Sequence, residues 1–312
     1  MGQQNYPSQF SSTEVEYVRS TIEKQAQEIL PWIYVTTITS LMLSSLILIT
    51  GIVWYKEQVK SKIYMKIILM ISLCDWFGTF VRSWGYPTHK FACDFQGFVS
   101  VFFFRASWFW VSAAIIVVYF HIRTSKLPKY IKFRHLNGYI WILNSILQFI
   151  PFLYSDSYGG CYNGLSYGRL QWLGKDTLRD QLISDYGWLT LVIMICASLP
   201  MYLYCVTLPN VWKNGGPQIY RTMQNVCKHM ILYPVAMLLF WGPATSYSTY
   251  AGIHYKYDTE TVDQFINNNF MYLLFGTITN LFGTACSLLF IWKSNETRAR
   301  WYYLYQNYKN RN

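Results

Sequence analysis

Long apolar stretches separated by short polar ones set the rhythm of this chain. Seven such runs occur, over residues 32–55, 67–81, 95–120, 136–155, 186–212, 230–255 and 264–292. Five contain no Asp, Glu, Lys or Arg; the 67–81 run holds only Asp75 and the 95–120 run only Arg105. A helix that crosses a hydrocarbon core of about 30 Å needs roughly 20 residues. Every run reaches that length except 67–81, which does so once residues 63–66 and those around Arg82 are included. The pattern predicts an all-α membrane protein, a bundle of seven transmembrane helices over 32–292. A segment 1–31 precedes the bundle and a tail 293–312 follows it. The connections are too short for a soluble domain.

The flanks have patterns of their own. Residues 13–29 read as an amphipathic helix leading into the first span, with Val15, Val18, Ile22 and Ile29 on one side. They contain no apolar core of the kind a cleavable signal needs, so the first span is expected to serve as a signal anchor. In the tail, Ser294 and Asn295 can cap a helix. Trp301, Leu304, Tyr305 and Tyr308 then recur at helical spacing among Arg298, Arg300, Lys309 and Arg311. This predicts a short amphipathic helix on the inner leaflet; the alternative is a frayed aromatic end. No internal repeat stands out, which counts against transporter folds built from repeats.

Composition agrees with the membrane reading: 53% of residues are hydrophobic and 13% charged, about half the usual charged share of a soluble domain. Aromatic residues near span ends, among them Trp32, Trp54, Tyr55, Trp84, Tyr86, Tyr119, Trp212, Tyr255 and Trp292, suit interfacial belts. The net charge of +11 first suggests a nucleic-acid partner, but its distribution does not. With the N-terminus outside, the inside segments 56–62, 121–135, 213–228 and 293–312 hold sixteen Lys/Arg and two acids. The outside segments 1–31, 82–94, 156–185 and 254–263 hold eight Lys/Arg and twelve acids. Positive residues stay cytoplasmic, so the surplus orients the chain N-out and C-in and faces an acidic leaflet. No nucleic-acid partner is expected.

The rare charges inside spans are the first candidates for chemistry. Arg105 lies 12 residues past Cys93, roughly 18 Å along a helix. An unpaired charge at that depth costs at least about 2.5 kcal/mol. Asp75 is the one acid deep in a span, 13 residues past Lys62. The two depths overlap, so a buried Arg105–Asp75 pair, direct or through water, is one expectation. A wet ligand cavity facing Arg105, or a snorkelling Arg105, is the alternative. Asn144, Gln148, Asn267, Asn268, Asn269 and Asn280 add polar groups that must bond between helices or line a pocket.

Pro151, Pro200, Pro234 and Pro243 fall inside spans and remove backbone hydrogen bonds. The sixth run is the most heavily loaded, with Tyr233-Pro234 and Phe240-Trp241-Gly242-Pro243. An indole beside such a break can act as a hinge between two packings; ordinary packing is the other reading. Of seven cysteines, only Cys93 and Cys161 fall on the outside. In an oxidising exterior a disulfide between them is expected, against the alternative of two free thiols.

Enzyme chemistry finds little support. The five histidines are scattered over loops and span ends without metal-ligand spacing. The phosphate-loop motif is absent. A retinal Schiff base needs a lysine in the seventh run, and 264–292 has none. No catalytic residue, metal or cofactor is expected.

The third run narrows the class. Cys93, then Ala106-Ser107-Trp108-Phe109-Trp110, then Tyr119-Phe120-His121-Ile122 resembles, at matching spacing, the slime-mould cyclic AMP receptor family. Cys161-Tyr162-Asn163-Gly164 is similar to that family's second extracellular loop, and Tyr233 and Trp241 also match. Lys228-His229 before Tyr233-Pro234 resembles the related fungal glucose-sensing receptors, and the Cys74-Asp75 region looks loosely alike. The resemblance implies a G-protein-coupled receptor in the plasma membrane. It would pass an extracellular small-molecule signal, such as a cyclic nucleotide, to a heterotrimeric G protein. A small seven-helix transporter or channel is the rival.

On the receptor reading the ligand pocket draws on Arg82, Gln96, Arg105, Trp108, Trp241, Tyr247 and Asn268. The activation hinge is Tyr233, Pro234, Trp241 and Pro243. G-protein coupling falls on Tyr119, His121, Arg123, Lys126, Arg221, Lys228 and His229. A phosphate-bearing ligand would want outward cations. Arg82, Lys90, Arg169, Lys175 and Arg179 lie among twelve outer acids, with no overall positive field, and read as solvated loop charges.

Overall fold

A computed structural model describes residues 11–54, 63–83, 90–124, 132–154, 202, 232–244, 246–247, 250 and 261–309. Every ordered element in this set is helical. They are α1 (Ser12–Val53), α2 (Ile63–Arg82), α3 (Lys90–Thr124), α4 (Phe133–Tyr154), α5 (Leu232–Ala244), α6 (Val262–Lys293) and α7 (Asn295–Lys309). Stretches of α1, α2, α3 and α6 (Gln27–Val53, Ile63–Arg82, Phe95–Phe120 and Leu274–Trp292) are long and apolar enough to cross a membrane. The molecule is a multi-pass membrane helical bundle. The fifth predicted span, 186–212, lies outside the described residues apart from Tyr202.

The lead-in predicted over 13–29 is helical but is no separate element. Helix α1 runs 42 residues through Pro31, roughly 63 Å. Val18 and Ile29 are buried on its inner side. Ile33 and Phe270 of α6 pack against Ile29. Ser11 starts the helix with a capping box: its hydroxyl accepts from the Glu14 amide, and Glu14 accepts from the Ser11 amide. Thr261 and Gln264 repeat the device at the start of α6. Both satisfy N–H groups that a helix start leaves open.

The faces of α1 invert the soluble pattern. Thr37, Ser40, Ser44 and Ile47 are buried, whereas Val35, Ile38, Met42, Ile49 and Ile52 are exposed. Small hydroxyl residues let helices approach closely in a bilayer, where apolar side chains can face lipid. At Gly283 of α6 an added Cβ would meet Ser40 Oγ at 2.5 Å and the Asp75 Cβ at 3.3 Å, so α1, α2 and α6 close tightly there. Helix α4 follows the 3.6-residue period: Ile140, Asn144, Leu147 and Gln148 point in, and Tyr139, Ile142, Leu143 and Ile146 point out.

Helix α3 forms the middle of the core. Phe104, Ala106, Trp108, Trp110, Val111, Ala114 and Val118 are buried and join side chains of α2, α4, α5 and α6 in one apolar cluster. Helix α7 follows α6 directly. Ser294 accepts from the Thr297 amide, and the Trp301 indole donates to Thr50 Oγ1 at 3.2 Å. Trp301 also meets Trp54 edge-on at 5.2 Å. Trp54, expected at the interfacial belt, is instead buried at this junction.

Candidate functional site

Three layers of polar and aromatic side chains lie inside the bundle. In the first, Arg82 at the end of α2 is buried, not a solvated loop charge as its place in the sequence suggested. Its Nη1 donates to Asn280 Oδ1 at 2.6 Å and reaches Thr279 Oγ1 at 3.5 Å, both on α6. Asn280 donates onward to Thr37 of α1 at 3.3 Å. The flat guanidinium also lies over the Phe104 ring, 4.2 Å from its centroid, a geometry that draws a cation to the ring face. Gln96, buried on α3, donates to the Val81 carbonyl at 2.9 Å and so holds the end of α2 from the other side.

The second layer is aromatic. Trp241 of α5 is buried between two α3 rings one turn apart. It meets Trp108 edge-on at 4.6 Å and Phe104 at 5.5 Å with the planes tilted by 57°. Tyr233 and Pro234 are buried on the same helix and Pro243 is exposed. Tyr247 packs on Phe275 of α6 at 5.4 Å.

The third layer holds the charges inside the spans. Arg105 is 1% exposed. It donates to Gln148 Oε1 of α4 at 2.9 Å, and Gln148 passes its own amide hydrogen to the Phe98 carbonyl at 3.0 Å. Asn144 supports the same seam by donating to the Phe102 carbonyl at 2.9 Å. The direct Arg105–Asp75 pair expected from the sequence is not formed. Arg105 turns to α4, and neither Asp75 oxygen takes part in a hydrogen bond among the described residues. Asp75 sits instead beside Ser40 and Ser44 of α1, the backbone of Gly283 on α6, and Ser107 of α3, whose hydroxyl lies close without closing a hydrogen bond.

The structure thus brings together Arg82, Trp108 and Trp241 of the expected pocket, links Gln96 to the neighbouring backbone, and turns Arg105 toward α4. Asn268 lies on α6 with its side chain outside the described residues. The Cys161 partner of the expected disulfide lies outside them as well, as does the Cys93 side chain. Of the coupling residues, Tyr119 is half-buried, 5.4 Å from the Phe120 ring and 6.4 Å from Tyr202. The side chains of His121 and Arg123 and the whole of Lys126, Arg221, Lys228 and His229 fall outside the described residues. Phe104, Thr279, Ser40, Ser44 and Ser107 were not anticipated. Ser40 and Ser44 carried a signal, two hydroxyls one turn apart in an apolar run, whereas Phe104 is one of three consecutive phenylalanines and carried none.

No family model matches the chain, and no curated protein matches it. Among solved structures the chain is similar to the crystal structure of squid rhodopsin. The TM-score is 0.62 at 12% identity, with 88% of this chain and 83% of that chain covered. At that identity the likeness establishes a fold, that of a rhodopsin-like membrane helical bundle.

Proposed function

We propose that the protein is a G-protein-coupled receptor of the cyclic-AMP-receptor-like class, oriented N-out in the plasma membrane. The observation that carries the reading is the packing of Trp241. A proline-flanked helix places one large indole against two rings of the central helix, inside a fold like that of squid rhodopsin. Two packings of that indole would be two states of the bundle. An extracellular small molecule that binds one of them better would shift the population by its differential affinity. A G protein that prefers the same state from inside would couple reciprocally. The span-three motif from Cys93 to Tyr119 and the basic inner segments support this assignment, and the resemblance points to a cyclic nucleotide or similar small ligand. Arg82 and Gln96 border the pocket beside Trp108 and Trp241. Tyr119, His121, Arg123, Lys126, Arg221, Lys228 and His229 form the inner surface for the G protein. Cys93 and Cys161 form the outer disulfide, and α7 lies on the inner leaflet.

The test is nucleotide exchange on purified heterotrimers, with the full chain in lipid nanodiscs. Catalysed exchange is expected, and Trp241→Leu, which loosens the indole packing, should raise exchange without ligand. Solute flux in liposomes with no exchange on any heterotrimer, for the wild type and the variant alike, would replace the receptor with a transporter.

A further inference from the structure

Phe104 connects the Arg82 cluster to the packing of Trp241. Its ring carries Arg82 on one face at 4.2 Å and meets Trp241 at 5.5 Å. It also lies close against α2 at Gly78, where an added Cβ would stand 3.0 Å from two ring atoms. Arg82 is in turn held by Asn280 of α6 at 2.6 Å. One guanidinium therefore serves both contacts, and Arg82 cannot swing off Asn280 without changing its place over the ring.

We propose that Phe104 is a positioning residue for Trp241, reporting to it whether Arg82 is docked on Asn280. The attraction between a cation and a ring face depends on the cation staying over that face. When Arg82 leaves, the ring loses the neighbour that fixes its tilt. Trp241 is wedged between Phe104 and Trp108 one turn apart, so any resettling of Phe104 changes the slot that the indole occupies. Packed interiors respond to such a change by switching arrangement instead of deforming smoothly. The contact between α2 and α6 is thereby transmitted to α5 through a side chain of α3. This deepens the receptor reading and rests on it for its physiological meaning, but its test does not.

The full chain, labelled with 5-fluorotryptophan and held in nanodiscs, gives a fluorine resonance for Trp241 that Trp241→Phe assigns. The Trp301 resonance, from the junction of α7 and α1, serves as the reference for folding. Arg82→Gln and Phe104→Leu are each expected to displace the Trp241 resonance and leave Trp301 in place. Adding Arg82→Gln to Phe104→Leu is expected to give no further displacement. The proposal is overturned if Arg82→Gln leaves Trp241 unmoved, or moves it equally with and without Phe104. Should Phe104→Leu lose the Trp301 signal, Arg82→Lys and Arg82→Gln are compared on the intact ring. Lysine keeps a cation over Phe104 and should hold Trp241 near its wild-type position, whereas equal displacement by both overturns the proposal. A chain that drives no nucleotide exchange can still pass this test, so the receptor reading and the positioning role can fail separately.

Discussion

Arg105 and Asp75 are each 1% exposed inside the same bundle, yet their surroundings differ in kind. The arginine has a neutral amide, Gln148, that accepts from it and is itself anchored to the Phe98 carbonyl. The aspartate has hydroxyl-bearing neighbours on α1 and α3 but no hydrogen bond to either carboxyl oxygen among the described residues. A charge in a membrane interior can be accommodated by a partner group or by a polar, close-packed environment. This chain uses the first device between α3 and α4 and the second among α1, α2, α3 and α6. The comparison predicts that removing the acceptor of Arg105 costs stability, whereas replacing the Asp75 carboxyl does not.

The largest effect is expected at the arginine. Gln148→Leu removes both the acceptor of a buried guanidinium and the donor to Phe98. A hydrogen bond to a charged group contributes roughly 1.5–3 kcal/mol, so a loss of about 2–3 kcal/mol is expected in reversible unfolding in detergent. Arg105→Met combined with Gln148→Leu should recover part of it, because the buried charge that lost its Gln148 acceptor is then removed as well. If the double variant is as unstable as Gln148→Leu, or worse, the Arg105–Gln148 pairing is not what stabilises the seam.

Next in size is Gly283→Val, which tests the close-packed side of the comparison. The added side chain has to displace Ser40 Oγ, 2.5 Å from the first new carbon. Overpacking of this kind costs about 1–3 kcal/mol. The smaller Gly283→Ala should cost less than Gly283→Val, and equal tolerance of both in a thermal-shift assay would mean that α1 and α6 are not in close contact. Asp75→Asn is expected to have a smaller effect still. It removes an ionisable group without removing a hydrogen-bond partner, so stability should stay level or rise. A loss of the size seen for Gln148→Leu would show that Asp75 is paired as firmly as Arg105.

Hydropathy made the bundle readable because a bilayer demands long apolar helices with every backbone group satisfied internally. The same reading placed Asp75 and Arg105 inside spans and named Asn144, Gln148 and Asn280 among six amides that bond between helices or line a pocket, without sorting them; these three bond between helices. It did not pair them. Depth along a helix fixes height but not the direction a side chain faces, and Arg105 turned toward α4 instead of α2. The burial of Arg82 is hidden in the sequence for a related reason. A cation at a span end reads as solvated unless a neighbouring helix offers an acceptor, and Asn280 is 198 positions away in sequence. The capping boxes at Ser11–Glu14 and Thr261–Gln264 were legible as Ser/Thr followed three residues later by Glu/Gln. Phe104 became visible only with three helices in place around it.

Glu14 gives the smallest effect and a baseline for the comparison, a charge with a partner but no burial. The Ser11 amide and hydroxyl both donate to its carboxylate, and the backbone hydrogen bond, followed by the hydroxyl, holds its pKa below the ordinary glutamate value. A carboxyl lowered in the folded state contributes stability that is fully present above its unfolded pKa, near 4.3. That contribution is lost as pH falls through the lowered, folded value. The cap should therefore be intact at neutral pH and weaken only in acid. Protection of the first-turn amides of α1, relative to intrinsic exchange at each pH, should then fall, while protection around Arg105 stays unchanged. Glu14→Gln should flatten that local pH response and leave global unfolding nearly untouched, because solvent screens an exposed charge. If Glu14→Gln instead destabilises the bundle as Gln148→Leu does, the segment 12–30 is held by more than its cap, and burial is not what separates the strong charge site from the weak one.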